Sequence, residues 1–127
     1  MKRLVLVVAS ILALAGCASA SATTTSNAQD FATTISDTSV VILDVRTPGE
    51  YATGHISGAI NIDVESGNFE AEIANLDKSK TYAVYCRSGR RSAIATDTMA
   101  GLGFAHLHNL DGGLEAWTAA GQPLVMG

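Results

Sequence analysis

Thr81-Tyr82-Ala83-Val84-Tyr85-Cys86-Arg87-Ser88-Gly89-Arg90-Arg91-Ser92 is the stretch on which the fold turns. Its first half is a short apolar run of strand length, as expected of a strand buried on both faces of a parallel sheet. Its second half is a polar loop with one glycine, leading into a segment read as a helix from Ala93 to Leu102. There Ala95, Met99 and Leu102 recur at spacings of four and three, and Gly103 follows as a stop. The same alternation repeats along the chain. Val40 to Val45, Ala59 to Ile62 and Phe104 to His108 read as further strands. Phe69, Ile73 and Leu76 suggest a helix in the middle. Leu114 and Trp117 share a face of a last helix, with Asp111 as its cap and Gly121 and Pro123 ending it. Strands alternating with helices predict an α/β fold: an open, mostly parallel sheet flanked by helices on both faces.

In such sheets ligands bind at the carboxyl ends of the strands, and the third strand read from the sequence delivers Cys86 to that end. A short loop entering a helix turns backbone N–H groups inward and makes a cradle for negative charge. Gly89 permits the positive φ that a tight turn requires. Amides, helix terminus and guanidinium groups together favour thiolate over thiol, so the Cys86 pKa is expected to be depressed and the residue to act as a nucleophile. An inert core cysteine is the bland alternative, but three arginines do not belong beside a buried apolar thiol. His55 reads as structural. His106 and His108 lie two apart on a strand, without the further ligands that a metal site needs, so no metal and no cofactor is expected.

The loop from Cys86 to Ser92 resembles the active-site loop of the single-domain rhodaneses, a family of sulfurtransferases. Three further segments agree with that resemblance: Leu43 to Tyr51, Gly54 to Asn61, and Asp111 to Trp117 with Gly121 and Pro123. The resemblance spans about Gln29 to Val125. It implies transfer of a sulfane sulfur from a donor such as thiosulfate or a persulfide to a thiol or cyanide acceptor, through a persulfide on Cys86. It further implies that Arg87, Ser88, Gly89, Arg90, Arg91 and Ser92 form the substrate-binding loop, and that Asp44 and Arg46 hold that loop. Arg87 and Arg90 are expected at the pocket mouth, attracting anionic donors, and Arg91 as a brace.

The amino-terminal stretch carries a different message. Lys2 and Arg3 precede an apolar run, and Leu14-Ala15-Gly16-Cys17 resembles the lipobox of bacterial lipoproteins. The expectation is a signal peptide over residues 1–16, cleaved before Cys17, with acyl chains on the Cys17 sulfur. An ordinary secretory signal cut at Ala18 or Ala20 is the alternative, and the apolar run is shorter than the ~20 residues of a membrane span. Residues 17–28, small and uncharged after the lipidated cysteine, read as a flexible tether, with the domain over residues 29–127. A lipid anchor on the outer side of a bacterial membrane follows. Ala18, not aspartate, after the lipid cysteine favours the outer membrane where there are two.

Without Lys2 and Arg3, six basic residues remain against twelve acidic ones. An acidic chain with no basic run has no footprint for nucleic acid, and a monomer is expected. With Cys17 acylated, Cys86 would be the only thiol, and no internal disulfide could form.

Two competing functions stand beside sulfur transfer. A phosphatase or arsenate reductase also uses cysteine and arginine on one anion loop, with five residues between them; here Arg91 follows Cys86 with four between. A non-catalytic sulfane-sulfur sensor or docking module would keep the fold without the turnover.

Overall fold

The computed structural model describes residues 22–127. The signal peptide, the lipobox and Cys17 lie outside the described residues. Five parallel strands form one sheet in the order β1-β5-β4-β2-β3. They are β1 (Thr23–Ser26), β2 (Val41–Asp44), β3 (Ile60–Asn61), β4 (Thr81–Tyr85) and β5 (His106–Leu110). Five helices connect and follow them: α1 (Ala28–Ile35), α2 (Pro48–Thr53), α3 (Phe69–Ile73), α4 (Arg90–Gly101) and α5 (Gly113–Ala119). The α/β class, the parallel sheet and its helical cover are as expected from the alternation in sequence.

The central strand shows why the sheet is covered twice. Tyr82, Val84 and Cys86 point to one face and join Phe69, Ile73, Ala95 and Met99 from α3 and α4. Ala83 and Tyr85 point to the other and join Phe31, Leu114 and Trp117 from α1 and α5. Alternation of side chains along a strand makes this split unavoidable. Aromatic edges close both layers, Tyr82 against Phe104 at 5.4 Å and Phe31 against Trp117 at 6.1 Å between ring centroids.

Several boundaries differ from the sequence reading, each for a physical reason. Thr23 to Ser26, expected within the tether, instead pair with Leu107 to Leu110 as an edge strand. Small hydroxyl residues carry no apolar pattern, so only the free edge of β5 explains why they order. Asn27, likewise expected within the tether, caps α1 by accepting from the Asp30 amide at 2.8 Å. The fourth strand begins two residues later than expected, at His106, because its register is set by Thr81 on β4 and Thr23 on β1. Helix α4 starts three residues earlier than expected, at Arg90, and α5 is preceded by Gly112 at φ 72°, with no side-chain cap. Asp111 therefore does not cap it; its backbone amide donates instead to the Ser26 carbonyl at 2.8 Å.

Candidate active site at the carboxyl end of the sheet

β4 ends one residue before Cys86, so the thiol sits where the strand leaves the sheet and the chain turns into α4. The residue is fully buried. Its Sγ accepts a hydrogen bond from the Gly89 amide at 3.0 Å and lies 3.3 Å from Ser92 Oγ. Burial by itself pushes the thiol pKa up. The hydroxyl and amide of Ser92 and the amides of Gly89 and Ser88 outweigh it, and the net shift is downward. Gly89 makes the turn possible: its φ of 102° is left-handed, and a Cβ there would lie 3.2 Å from the Gly112 nitrogen. The Ser92 hydroxyl also contacts the Gly89 carbonyl at 3.2 Å, closing the loop on itself.

Two supports hold this loop from outside. On one side Arg91 makes a two-pronged ion pair with Glu50, Nη1 to Oε1 at 2.7 Å and Nη2 to Oε2 at 2.9 Å. Glu50 belongs to the first turn of α2, where it forms a capping box with Thr47. The Arg91 guanidinium holds the Glu50 carboxyl at about 2, well below its ordinary value. On the other side α5 turns its first amides onto the strand end. Leu114 N donates to the Cys86 carbonyl at 2.9 Å and Glu115 N to the Arg87 carbonyl at 3.0 Å. This approach needs Gly113, where a Cβ would fall 2.6 Å from the carbonyl groups of Cys86 and Arg87.

Asp44 and Arg46 form a separate, deeper unit. The buried Asp44 carboxylate accepts from the Arg46 amide, Nε and Nη2 at 2.7–3.1 Å. Arg46 Nη2 also reaches the Gly54 carbonyl at 2.7 Å, and Asn61 Nδ2 bridges the Asp44 and Arg46 carbonyls. The pair therefore ties the end of β2 to the end of α2 and to β3. None of its side-chain hydrogen bonds reaches residues 86–92, so the direct hold on the loop expected of Asp44 and Arg46 is exercised by Glu50 and α5 instead. Arg46 does line a cavity of about 250 Å³ beside the loop, with Glu50, Thr53, Arg87, Leu114, Glu115 and Thr118.

The family model of the rhodanese-like domain matches residues 27–120. The chain belongs to the rhodanese-like domain family. It is 37% identical over 70 residues to the thiosulfate sulfurtransferase PspE of Escherichia coli, covering 55% of this chain and 67% of that protein. It is 38% identical over 78 residues to the thiosulfate sulfurtransferase GlpE of Pseudomonas entomophila, covering 61% and 69%. The crystal structure of a rhodanese-related protein from Thermoplasma volcanium superposes with a TM-score of 0.72 at 33% identity, covering 81% of this chain and 98% of that one.

Within this rhodanese-like domain, the loop residues separate by role. Ser88, Gly89 and Ser92 face the sulfur. Arg91 turns away to Glu50. Arg87 is solvent-exposed and pairs with Glu115 at 3.2 Å. Arg90 is exposed and, among the described residues, makes no ion pair. Reading residues one stretch at a time missed Glu50 and Gly113. Thr47-Pro48-Gly49-Glu50 carries a capping-box signal that announces α2 and the first duty of Glu50. Nothing local announces its second duty, since Arg91 lies 41 residues away.

Proposed function

We propose that this protein is a rhodanese-type sulfurtransferase that carries sulfane sulfur as a persulfide on Cys86. The observation that carries the reading is the convergence of loop amides and the Ser92 hydroxyl on a single buried sulfur. In the first step the Cys86 thiolate attacks the outer sulfur of a donor. With thiosulfate, the new S–S bond forms as the old one breaks, sulfite leaves with the bonding pair, and Cys86 holds a persulfide anion. In the second, a thiolate or cyanide attacks the outer sulfur, and the pair of the broken S–S bond returns to Cys86. Charge resides on sulfur before and after each step, which is the state that the amides stabilise. Cys86 is buried, while Arg87 and Ser88 beside it in the loop are exposed.

The same reading includes the lipid anchor at Cys17. Five residues separate Cys17 from Thr23, so the covalent reach from anchor to sheet is about 20 Å. All strands run parallel from that end, and the Cys86 loop lies at the opposite one. An anchored domain would thus present its site away from the bilayer, toward soluble donors and acceptors.

The test is intact mass after incubation with thiosulfate. Cys86 is expected to gain about 32 Da, one sulfur, and to lose it to cyanide as thiocyanate. The Cys86→Ser variant should gain nothing. An unmodified Cys86 after thiosulfate, polysulfide and glutathione persulfide alike would remove the proposal, and release of phosphate from an aryl phosphate would replace it. Incorporation of a palmitate analogue that disappears in Cys17→Ser tests the anchor separately.

A further inference from the structure

The arginine at the cavity mouth is already neutralised. Arg87 Nε lies 3.2 Å from Glu115 Oε1, with the two side chains 69% and 62% exposed. The backbone fixes the two residues to each other as well, through the bond from Glu115 N to the Arg87 carbonyl. Both line the cavity beside the loop. Its other charged residues are paired too: Arg46 with Asp44, and Glu50 with Arg91. The cavity therefore has charges of both signs and no uncompensated cation. A dianion such as thiosulfate, approaching it, meets Glu115 as well as Arg87.

We propose that Glu115 is a selectivity residue that disfavours small dianionic sulfur donors and turns the site toward persulfides carrying both an ammonium and a carboxylate group. The proposal rests on the sulfur-transfer reading and refines it. Across an aqueous cavity mouth a unit charge about 7 Å from a dianion alters its attraction by about fivefold at low salt, and about twofold for a monoanion. A Debye length near 3 Å at 1 M salt removes that effect. An amino-acid persulfide, singly negative overall once its terminal S–H is ionised, feels about half the force that acts on a dianion, and its ammonium and carboxylate groups match the two signs present.

The experiment compares wild type, Glu115→Gln and the double variant Arg87→Gln/Glu115→Gln in the full chain. The readout is the ratio of kcat/KM for thiosulfate to that for cysteine persulfide. Glu115→Gln is expected to raise the ratio about two- to threefold at low ionic strength, with the rise gone at 1 M salt, and the double variant to bring it back. An unchanged ratio, or a rise that survives high salt, overturns the proposal. A second readout is independent of sulfur transfer: the rates at which iodoacetate and iodoacetamide alkylate Cys86, resolved by peptide mapping. Their ratio should rise about twofold in Glu115→Gln. If that ratio moves while no protein transfers sulfur, the electrostatic role of Glu115 stands and the sulfur-transfer reading fails. If thiosulfate turns over and neither ratio moves, the selectivity role fails alone.

Discussion

The inner shoulder of the Cys86 loop and its outer rim are both built from arginine–carboxylate pairs, and they do different things. At the shoulder, Asp44–Arg46 is buried, and in the Arg91–Glu50 pair Arg91 is only 19% and Glu50 30% exposed. These pairs have defined geometry and at least two hydrogen bonds each. At the rim, Arg87–Glu115 is a single contact between two solvated side chains. Solvated pairs contribute little to stability, while buried ones become costly when one partner is removed. The difference teaches that ionic contacts around this site divide between architecture and electrostatic steering, and that depth decides which.

Substitutions along this gradient should reproduce it. Asp44→Ala leaves the Arg46 guanidinium buried without its carboxylate, and a loss of about 3–5 kcal/mol is expected in the denaturant unfolding free energy. Gly113→Ala drives a Cβ into the Cys86 and Arg87 carbonyls at 2.6 Å from a left-handed backbone. A loss of about 2–3 kcal/mol is expected, together with slower alkylation of Cys86 once the loop shifts.

Glu50→Gln lies in between, at about 1 kcal/mol near neutral pH after allowance for solvent screening. Its pH dependence gives the sharper test. The folded carboxyl, at about 2, is below its ordinary value of 4.5, so the Arg91 pair stabilises fully above the ordinary value. That contribution fades as pH falls from about 4.5 through about 2. The stability difference between wild type and Glu50→Gln should close across that window. A difference that persisted to its lower end would show that the charge pair is not what Glu50 contributes. Arg87→Gln is expected to change stability least, by less than about 0.5 kcal/mol. A rim substitution that destabilised as much as Asp44→Ala would erase the contrast.

The site was legible in sequence to the extent that its chemistry is contiguous. Cys86, Gly89 and Ser92 sit within one short stretch, and a strand ending in a loop that enters a helix already says where their atoms converge. The buried pair Asp44–Arg46 is equally local, two residues apart. What joins that pair to its surroundings is not: Gly54 and Asn61 become its neighbours only because α2 and β3 fold back on β2. Sequence reasoning named Asp44 and Arg46 together, but their side-chain links to Gly54 and Asn61 come from the fold. Of Arg87 and Arg90, both expected at the mouth, only Arg87 lines the cavity, where Glu115 on α5 pairs with it.

Residue order alone determined the α/β class, the strand before Cys86 and the thiol at its carboxyl end, because period, burial pattern and turn chemistry act over a few residues. Tertiary structure decided the rest: the strand formed by Thr23 to Ser26, the clamp of Glu50 on Arg91, and the seating of Gly113 against the Cys86 carbonyl. Each depends on segments brought together from distant parts of the chain. Contacts of that kind leave no local period, since their energy depends on which surfaces meet after the sheet has assembled.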